Sequence, residues 1–133
     1  MSKLTTKTVM WIYAIVNILM GIGSLFTGQS TAEVSWGKAN VLAHDKFYEQ
    51  GYGFAFIAIG ILALGIALFI SGKAQAKLTL LSGLGTLIFL GGFWITATSN
   101  DPKYTIGVAY WLPAVILIIL TGVAGSQGLK SAD

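Results

Sequence analysis

Cysteine and arginine are both absent from this sequence of 133 residues. Without cysteine the chain has no disulfides, thiol catalysis, thiolate metal sites or lipid-modified cysteine anchor. Without arginine it lacks the side chain that binds phosphate and carboxylate groups in a bidentate manner, and its net charge of +3 comes from lysines alone. The absence of arginine argues against nucleotide binding, and we expect no nucleic-acid partner.

Charged side chains are missing from four long stretches, residues 8–32, 50–72, 78–100 and 104–129. The chain is 55% hydrophobic and 10% charged, whereas soluble domains carry about 25% charged residues. A helix of roughly 20 apolar residues crosses the hydrocarbon core of a bilayer. The sequence therefore predicts an all-α, polytopic four-helix bundle in the lipid bilayer, and we expect an integral membrane protein.

Turn-forming residues between the apolar stretches set the predicted helix bounds. We predict a single transmembrane domain, residues 1–133, with helices at about 8–26, 50–71, 76–98 and 105–125. The outer loop, residues 28–49, is the longest connection. The apolar run at 8–26 is longer than the core of a secretory signal peptide, so we expect an uncleaved first helix.

The lysines favour one orientation of the four helices, because lysine concentrates in the cytoplasmic segments of membrane proteins. If the N-terminus is cytoplasmic, the inner segments hold five lysines, Lys3, Lys7, Lys73, Lys77 and Lys130. The outer segments then hold three, Lys38, Lys46 and Lys103. We predict that both termini are cytoplasmic (N-in/C-in).

Small and polar residues recur at helical spacing in each predicted helix. Lipid is as apolar as leucine, so close packing of small residues and hydrogen bonds between helices drive association. The predicted contact stripes are Tyr13, Asn17, Gly21 and Ser24; Gly60, Ala63, Ala67 and Ser71; Thr79, Ser82 and Thr86; and Gly107, Tyr110, Ala114 and Thr121.

Aromatic residues concentrate at the predicted outer face: Trp36, Phe47, Tyr48, Tyr52, Phe93, Trp94, Tyr104, Tyr110 and Trp111. Two interpretations remain open, the interfacial belt that Trp and Tyr commonly form and an outward-facing aromatic pocket. Asn17, at mid-membrane depth, either hydrogen-bonds across helices or contacts a ligand. The candidate ligand-binding residues are Asn17, Tyr52, Trp94, Tyr110 and Trp111.

A compact polar cluster, His44, Asp45 and Glu49, lies in the predicted outer loop. Imidazole and carboxylate groups ligate divalent metals, so these three residues are candidate metal ligands. The alternative is a solvated loop followed by an acidic first helical turn, which the positive helix N-terminus favours. If the second helix begins early, Asp45 and Glu49 share one of its faces. No particular cofactor is predicted.

The four uncharged stretches also lack histidine. Proton-coupled pumps and transporters generally carry their proton on an intramembrane carboxylate or histidine. Motifs of the H-E-x-x-H, G-x-S-x-G or phosphate-loop type do not occur either. The sequence therefore argues against proton coupling, and it names no catalytic residue.

Two glycine-spaced segments, residues 17–28 (NILMGIGSLFTG) and residues 47–60 (FYEQGYGFAFIAIG), end the first helix and open the second. Together with four spans and a long first loop, they resemble small DoxX-like four-helix membrane proteins of bacteria. The resemblance implies a four-helix fold and a location in the bacterial inner (cytoplasmic) membrane, and it implies no site residues.

Three functions are open on this evidence. We expect a non-catalytic accessory or assembly subunit of a larger membrane complex, which binds a membrane-protein partner or a second copy of itself. The alternative is a binder or carrier of a hydrophobic small molecule, such as a lipid or quinone, in the aromatic pocket. A membrane enzyme with a metal site in the outer loop comes third.

Overall fold

The computed structural model describes residues 4–131, and within that range the chain forms four helices. They are α1 (Thr6–Trp36), α2 (Asp45–Phe69), α3 (Gly72–Ser99) and α4 (Val108–Ser131). Each helix is long and apolar enough to cross a membrane, so the predicted all-α class with four candidate spans is confirmed. Lys3, which contributed to the predicted orientation, lies outside the described residues.

Helix α1 ends at Trp36 rather than at residue 26, so the predicted outer loop at 28–49 is wrong. The loop comprises residues 37–44. The helix continues because α2 packs against it there, and a Cβ added to Gly28 would lie 3.1 Å from the backbone oxygen of Lys46. It stops at Gly37, whose φ of 81° lies in the region that glycine adopts without a steric penalty.

The starts of α2 and α4 also differ from the predicted starts at residues 50 and 105. Helix α2 begins early, at Asp45, whose Oδ2 accepts a hydrogen bond of 2.7 Å from the backbone N–H of Leu42. Helix α4 begins late because the backbone N–H groups before it bond to other helices. Tyr104 donates to the carbonyl of Ala97 at 3.0 Å and Thr105 donates to that of Ser35 at 2.8 Å. The segment 100–107 therefore ties α3 to α1.

Glycines set the distance between the paired helices α1 and α2 and between α3 and α4. A Cβ on Gly53 would lie 2.7 Å from the backbone oxygen of Gly21, and one on Gly60 would lie 2.6 Å from Cγ1 of Ile18. In the other pair, a Cβ on Gly125 would lie 2.6 Å from Cγ of Leu80. Such close approach creates the dispersion contacts that hold helices together in lipid.

The predicted contact stripes are largely confirmed. The buried members are Tyr13, Asn17, Gly21 and Ser24 of α1, Gly60, Ala63 and Ala67 of α2, Thr79 of α3 and Thr121 of α4. Ser71 is instead exposed in the turn after α2, and Gly107 precedes α4. Across the bundle, the hydroxyls of Tyr13 and Thr86 share a hydrogen bond of 2.6 Å, which joins α1 to α3.

Helices α2 and α3 contact each other little, although only Ile70 and Ser71 separate them in the chain. The Gln75 side chain holds this turn, since its Nε2 donates to the carbonyls of Ile66 at 3.2 Å and Ile70 at 2.8 Å. Beyond the turn the two helices stay apart. The bundle therefore has two tightly packed pairs and an opening on the side between α2 and α3.

The packing of α1 on α2 predicts opposite effects for two neighbouring glycines. Gly53→Ala places a methyl group against the backbone of α1 and should lower the free energy of unfolding by about 1–3 kcal/mol, the usual cost of overpacking. Gly51→Ala, the matched control, has open space around the new methyl group. Its higher helix propensity should leave stability unchanged or raise it by about 0.5–1 kcal/mol. Equal unfolding midpoints of the two variants in detergent would contradict this packing.

Candidate functional site

Among residues 4–131, three adjoining cavities extend from one end of the bundle to the opening on its side. The loop-end cavity, about 210 Å³, lies where α1 and α3 end and includes Trp36 and Asn100 in its wall. The central cavity, about 60 Å³, lies among all four helices. The lateral groove, about 440 Å³, lies between α2 and α3, with Tyr13 and Asn17 of α1 behind it.

Shared residues show how the three spaces adjoin. The loop-end cavity and the central cavity are both lined by Glu49, Tyr52, Phe93 and Tyr104. The central cavity and the lateral groove are both lined by Asn17, Phe56, Thr86 and Phe89. The central cavity thus connects the loop end of the bundle with the opening between α2 and α3.

Aromatic rings form much of the wall of the central cavity: Tyr52, Phe56, Phe89, Phe93, Tyr104 and Tyr110. Ring centroids are 5.7 Å apart for Tyr52 and Phe93, 5.2 Å for Phe93 and Tyr104, and 6.3 Å for Phe56 and Tyr110. These separations are typical of favourable aromatic pairs. The rings therefore hold one another in place around the cavity.

Glu49 places a carboxyl group inside this aromatic wall. Because α2 begins at Asp45, Glu49 lies one turn into the helix and faces the bundle, with only 4% of its surface exposed. Its Oε1 accepts a hydrogen bond of 2.6 Å from the hydroxyl of Tyr104. Among residues 4–131, no lysine lies within salt-bridge distance of Glu49. The sequence placed this residue in the outer loop, and the early start of α2 corrects that placement.

Tyr104 reaches Glu49 from the irregular segment between α3 and α4. Its backbone is tied to Ala97, and its ring packs edge-on against Trp36 with centroids 4.9 Å apart. Burial, followed by the hydrogen bond to Glu49, raises the pKa of the Tyr104 phenol above its ordinary value. The phenol therefore keeps its proton and remains a hydrogen-bond donor to the carboxyl group throughout the physiological pH range.

Three of the five predicted ligand-binding residues, Asn17, Tyr52 and Tyr110, line the central cavity. The side-chain amide of Asn17 donates to the carbonyl of Tyr13 in its own helix at 2.8 Å, instead of bonding across helices. The Tyr110 hydroxyl shares a hydrogen bond of 2.9 Å with that of Ser24, which joins α4 to α1.

The two predicted tryptophans are placed differently. Trp94 faces outward with 51% of its surface exposed, and Trp111 is outside the linings of these three cavities. Phe47 is also exposed, and Tyr48 is largely exposed although it lines the loop-end cavity at its rim. Apart from Tyr48, the aromatic residues near this end therefore divide into an inward group that lines cavities and an outward group positioned as an interfacial belt would be.

The predicted metal ligands His44, Asp45 and Glu49 do not converge on one point. His44 is exposed, with Nε2 3.8 Å from Oδ1 of Asp45, whereas Glu49 faces the interior toward Tyr104. Nowhere in residues 4–131 do three or more histidine, aspartate or glutamate side chains form a group that could hold a metal ion. Asp45 instead stabilises the start of α2 through the backbone of Leu42.

Sequence reasoning missed Phe56 and Phe89 as wall residues and Glu49 as an inward-facing group. The sequence does contain a pattern that predicts the inward face of α2. Its members Glu49, Tyr52 and Phe56 are spaced i, i+3 and i+7, so they share one helical face. The assumed start of the second helix at residue 50 left the first member of this set outside the helix.

Comparison with known proteins finds no match, either to a protein-family model, to a curated protein or to a solved structure.

The buried phenol of Tyr104 predicts a particular loss of stability in alkali. A raised pKa means that the folded state holds the Tyr104 proton more tightly than the unfolded state. Its contribution is complete below about pH 10 and is lost as the pH rises further. The unfolding midpoint of the wild type should therefore fall more steeply above about pH 10 than that of Tyr104→Phe.

A second variant, Tyr48→Phe, is the control for this pH series because Tyr48 is an exposed tyrosine of the same end. It should follow the wild-type curve. Parallel curves for wild type and Tyr104→Phe would show that the Tyr104 phenol is not held in its protonated form by the fold.

Proposed function

We propose that this protein binds or carries a hydrophobic small molecule in the central cavity and the lateral groove, without catalysing a reaction. One observation supports the proposal: the interior cavity, which is lined by aromatic rings, adjoins a groove that opens between α2 and α3. Ligand sites are mostly apolar concavities with a few convergent polar groups. Glu49, Asn17 and the hydroxyls of Tyr104 and Tyr110 supply such groups here.

The sizes of the two spaces favour an elongated ligand. The lateral groove, at about 440 Å³, lies within the range of ligand pockets. The central cavity, at about 60 Å³, is small enough to admit only a few water molecules or a compact head group. We therefore propose that an apolar body occupies the groove and that a polar head enters the central cavity past Phe56 and Thr86.

The opening between α2 and α3 gives the ligand a lateral route. The groove is lined by outward residues such as Ile59, Leu62 and Leu81, all largely apolar side chains on candidate membrane spans. A lipid-soluble compound would reach the groove from the bilayer without crossing an aqueous phase. This route suits a lipid or quinone better than a water-soluble metabolite.

The accessory-subunit role, with a membrane-protein partner or a second copy of the chain, remains a prediction from the sequence. The resemblance to DoxX-like proteins has the same status. For the bacterial inner membrane we propose the N-in/C-in orientation, supported by the denser lysines at the end of the bundle that carries the termini. The loop-end cavity would then face outward.

Cysteine labelling tests this orientation cleanly because the chain has no cysteine of its own. Lys38→Cys lies in the exposed loop after α1, and Ser71→Cys lies in the exposed turn at the opposite end. In intact cells a membrane-impermeant maleimide should label the first variant and spare the second until the membrane is opened. The reverse pattern would place the termini outside.

A cavity-filling substitution tests the binding proposal. Ala114 lines the central cavity, so Ala114→Phe should fill it, whereas Ala109→Phe adds the same ring to an exposed position of α4. Mass spectrometry of protein purified in mild detergent should find a specific lipophilic compound retained by wild type and by Ala109→Phe. The retained amount should fall at least about tenfold in Ala114→Phe, because the head group loses its space. Equal retention in all three proteins would refute the cavity as the binding site.

A further inference from the structure

We propose that the site selects a lipophilic cation, an ammonium group on an apolar body, and that Glu49 is the residue that confers this selectivity. The inference rests on the proposed function, because it names the chemical class of the ligand bound there. It goes beyond that function in assigning a charge to the ligand. The observations that carry it are the position of Glu49, its surroundings and the composition of the cavity wall.

Glu49 occupies the junction between two spaces. It lines the loop-end cavity and the central cavity, and Tyr52, Phe93 and Tyr104 line both spaces with it. A group at this junction is within reach of a ligand in the central cavity. It is also open to the loop-end cavity, so a cation approaching from either side meets the same carboxyl group.

The charge of Glu49 is not balanced within the described protein. Its hydrogen-bond partner among residues 4–131 is the neutral phenol of Tyr104, and no lysine there lies close enough for an ion pair. A buried carboxylate without a counter-charge is strongly disfavoured, and an ionisable group inside a membrane bundle generally marks a functional site. A bound cation supplies the missing charge and favours the ionised carboxylate.

The rings around Glu49 suit the same class of ligand. Tyr52, Phe93 and Tyr104 form a chain of ring contacts, with centroids 5.7 and 5.2 Å apart, beside the carboxyl group. Aromatic rings attract cations through their quadrupole and commonly enclose quaternary ammonium groups. One carboxylate among several rings is therefore a cation site, whereas an anionic head group would be repelled.

The composition of the chain argues against a negatively charged ligand. Arginine is absent, and lysine is missing from the linings of all three cavities in the described residues. A phosphate or carboxylate ligand would find no cationic partner there. Two sources could supply the ammonium group. One is a free amphiphilic amine, and the other is a choline or ethanolamine phospholipid, whose phosphate is balanced by its own ammonium group and needs no cation from the protein.

A matched pair of probes tests the inference on the intact protein in maltoside micelles. Benzyltrimethylammonium carries the charge, and neopentylbenzene is its uncharged carbon isostere. Isothermal titration calorimetry should show that wild type binds the cation at least about tenfold more tightly than the isostere, since charge and cation–π attraction act on the cation alone.

Two variants assign the selectivity to Glu49. Glu49→Gln keeps an acceptor for Tyr104 and removes the charge, and it should weaken cation binding about tenfold or more while leaving isostere binding unchanged. Glu33→Gln is the matched control, because it removes the same charge from α1 at a carboxylate that pairs with Gln29, outside the three cavities. It should bind both probes as wild type does.

The possible results separate this inference from the proposed function. If both probes bind wild type equally and Ala114→Phe abolishes both, the cavity binds ligands but the cation selectivity is refuted. If neither probe binds wild type, both proposals fail. The wild-type comparison needs no variant, so it decides the matter even if Glu49→Gln does not fold. Competition by added phosphatidylcholine supports a lipid head group as the natural ammonium source, and its absence supports a free amine.

Discussion

Close backbone packing at glycines is the constraint on which the rest of this structure depends. In lipid, apolar side chains gain little by leaving their surroundings, so helices associate where small residues allow their backbones to approach. Gly21, Gly53 and Gly60 join α1 to α2, and Gly83 and Gly125 join α3 to α4. Because these contacts hold two separate pairs, α2 and α3 are left with little contact between them. The lateral groove is a consequence of where the glycines lie.

The same packing creates the environment of Glu49. The glycine contacts continue to Gly28, which keeps α1 and α2 together beyond the predicted end of the first helix. The early start of α2 brings Glu49 into the bundle, and the segment tied to Ala97 and Ser35 brings Tyr104 to it. The carboxyl group of Glu49, the phenol of Tyr104 and the aromatic lining of the central cavity therefore come together from different segments of the sequence. The geometry that supports the proposed ligand binding therefore depends on the pairing of distant elements.

Sequence reasoning succeeded where local physics decides and failed where contacts between segments decide. The four spans and the buried face of α1 follow from the absence of charge and from helical spacing, as with Asn17 and Ser24. The end of α1 was misjudged because residues 27–30 favour turns in isolation, while α2 holds them in a helix. The cluster His44, Asp45 and Glu49 looked like one site, but the early helix start buries Asp45 and Glu49 on one face of α2 and leaves His44 exposed before it.

By itself the sequence determined that the helices are apolar enough for a lipid bilayer, that the protein is all-helical and which small residues lie at the helix contacts. These properties depend on hydropathy and on a spacing of 3.6 residues per turn. Only the tertiary structure decided which helices pair, where the bundle stays open and which aromatic rings face inward. It also decided that Glu49 lies beside Tyr104, with no lysine of residues 4–131 within ion-pair distance. Residues 55 positions apart meet there because helix packing, and no local rule, sets their distance.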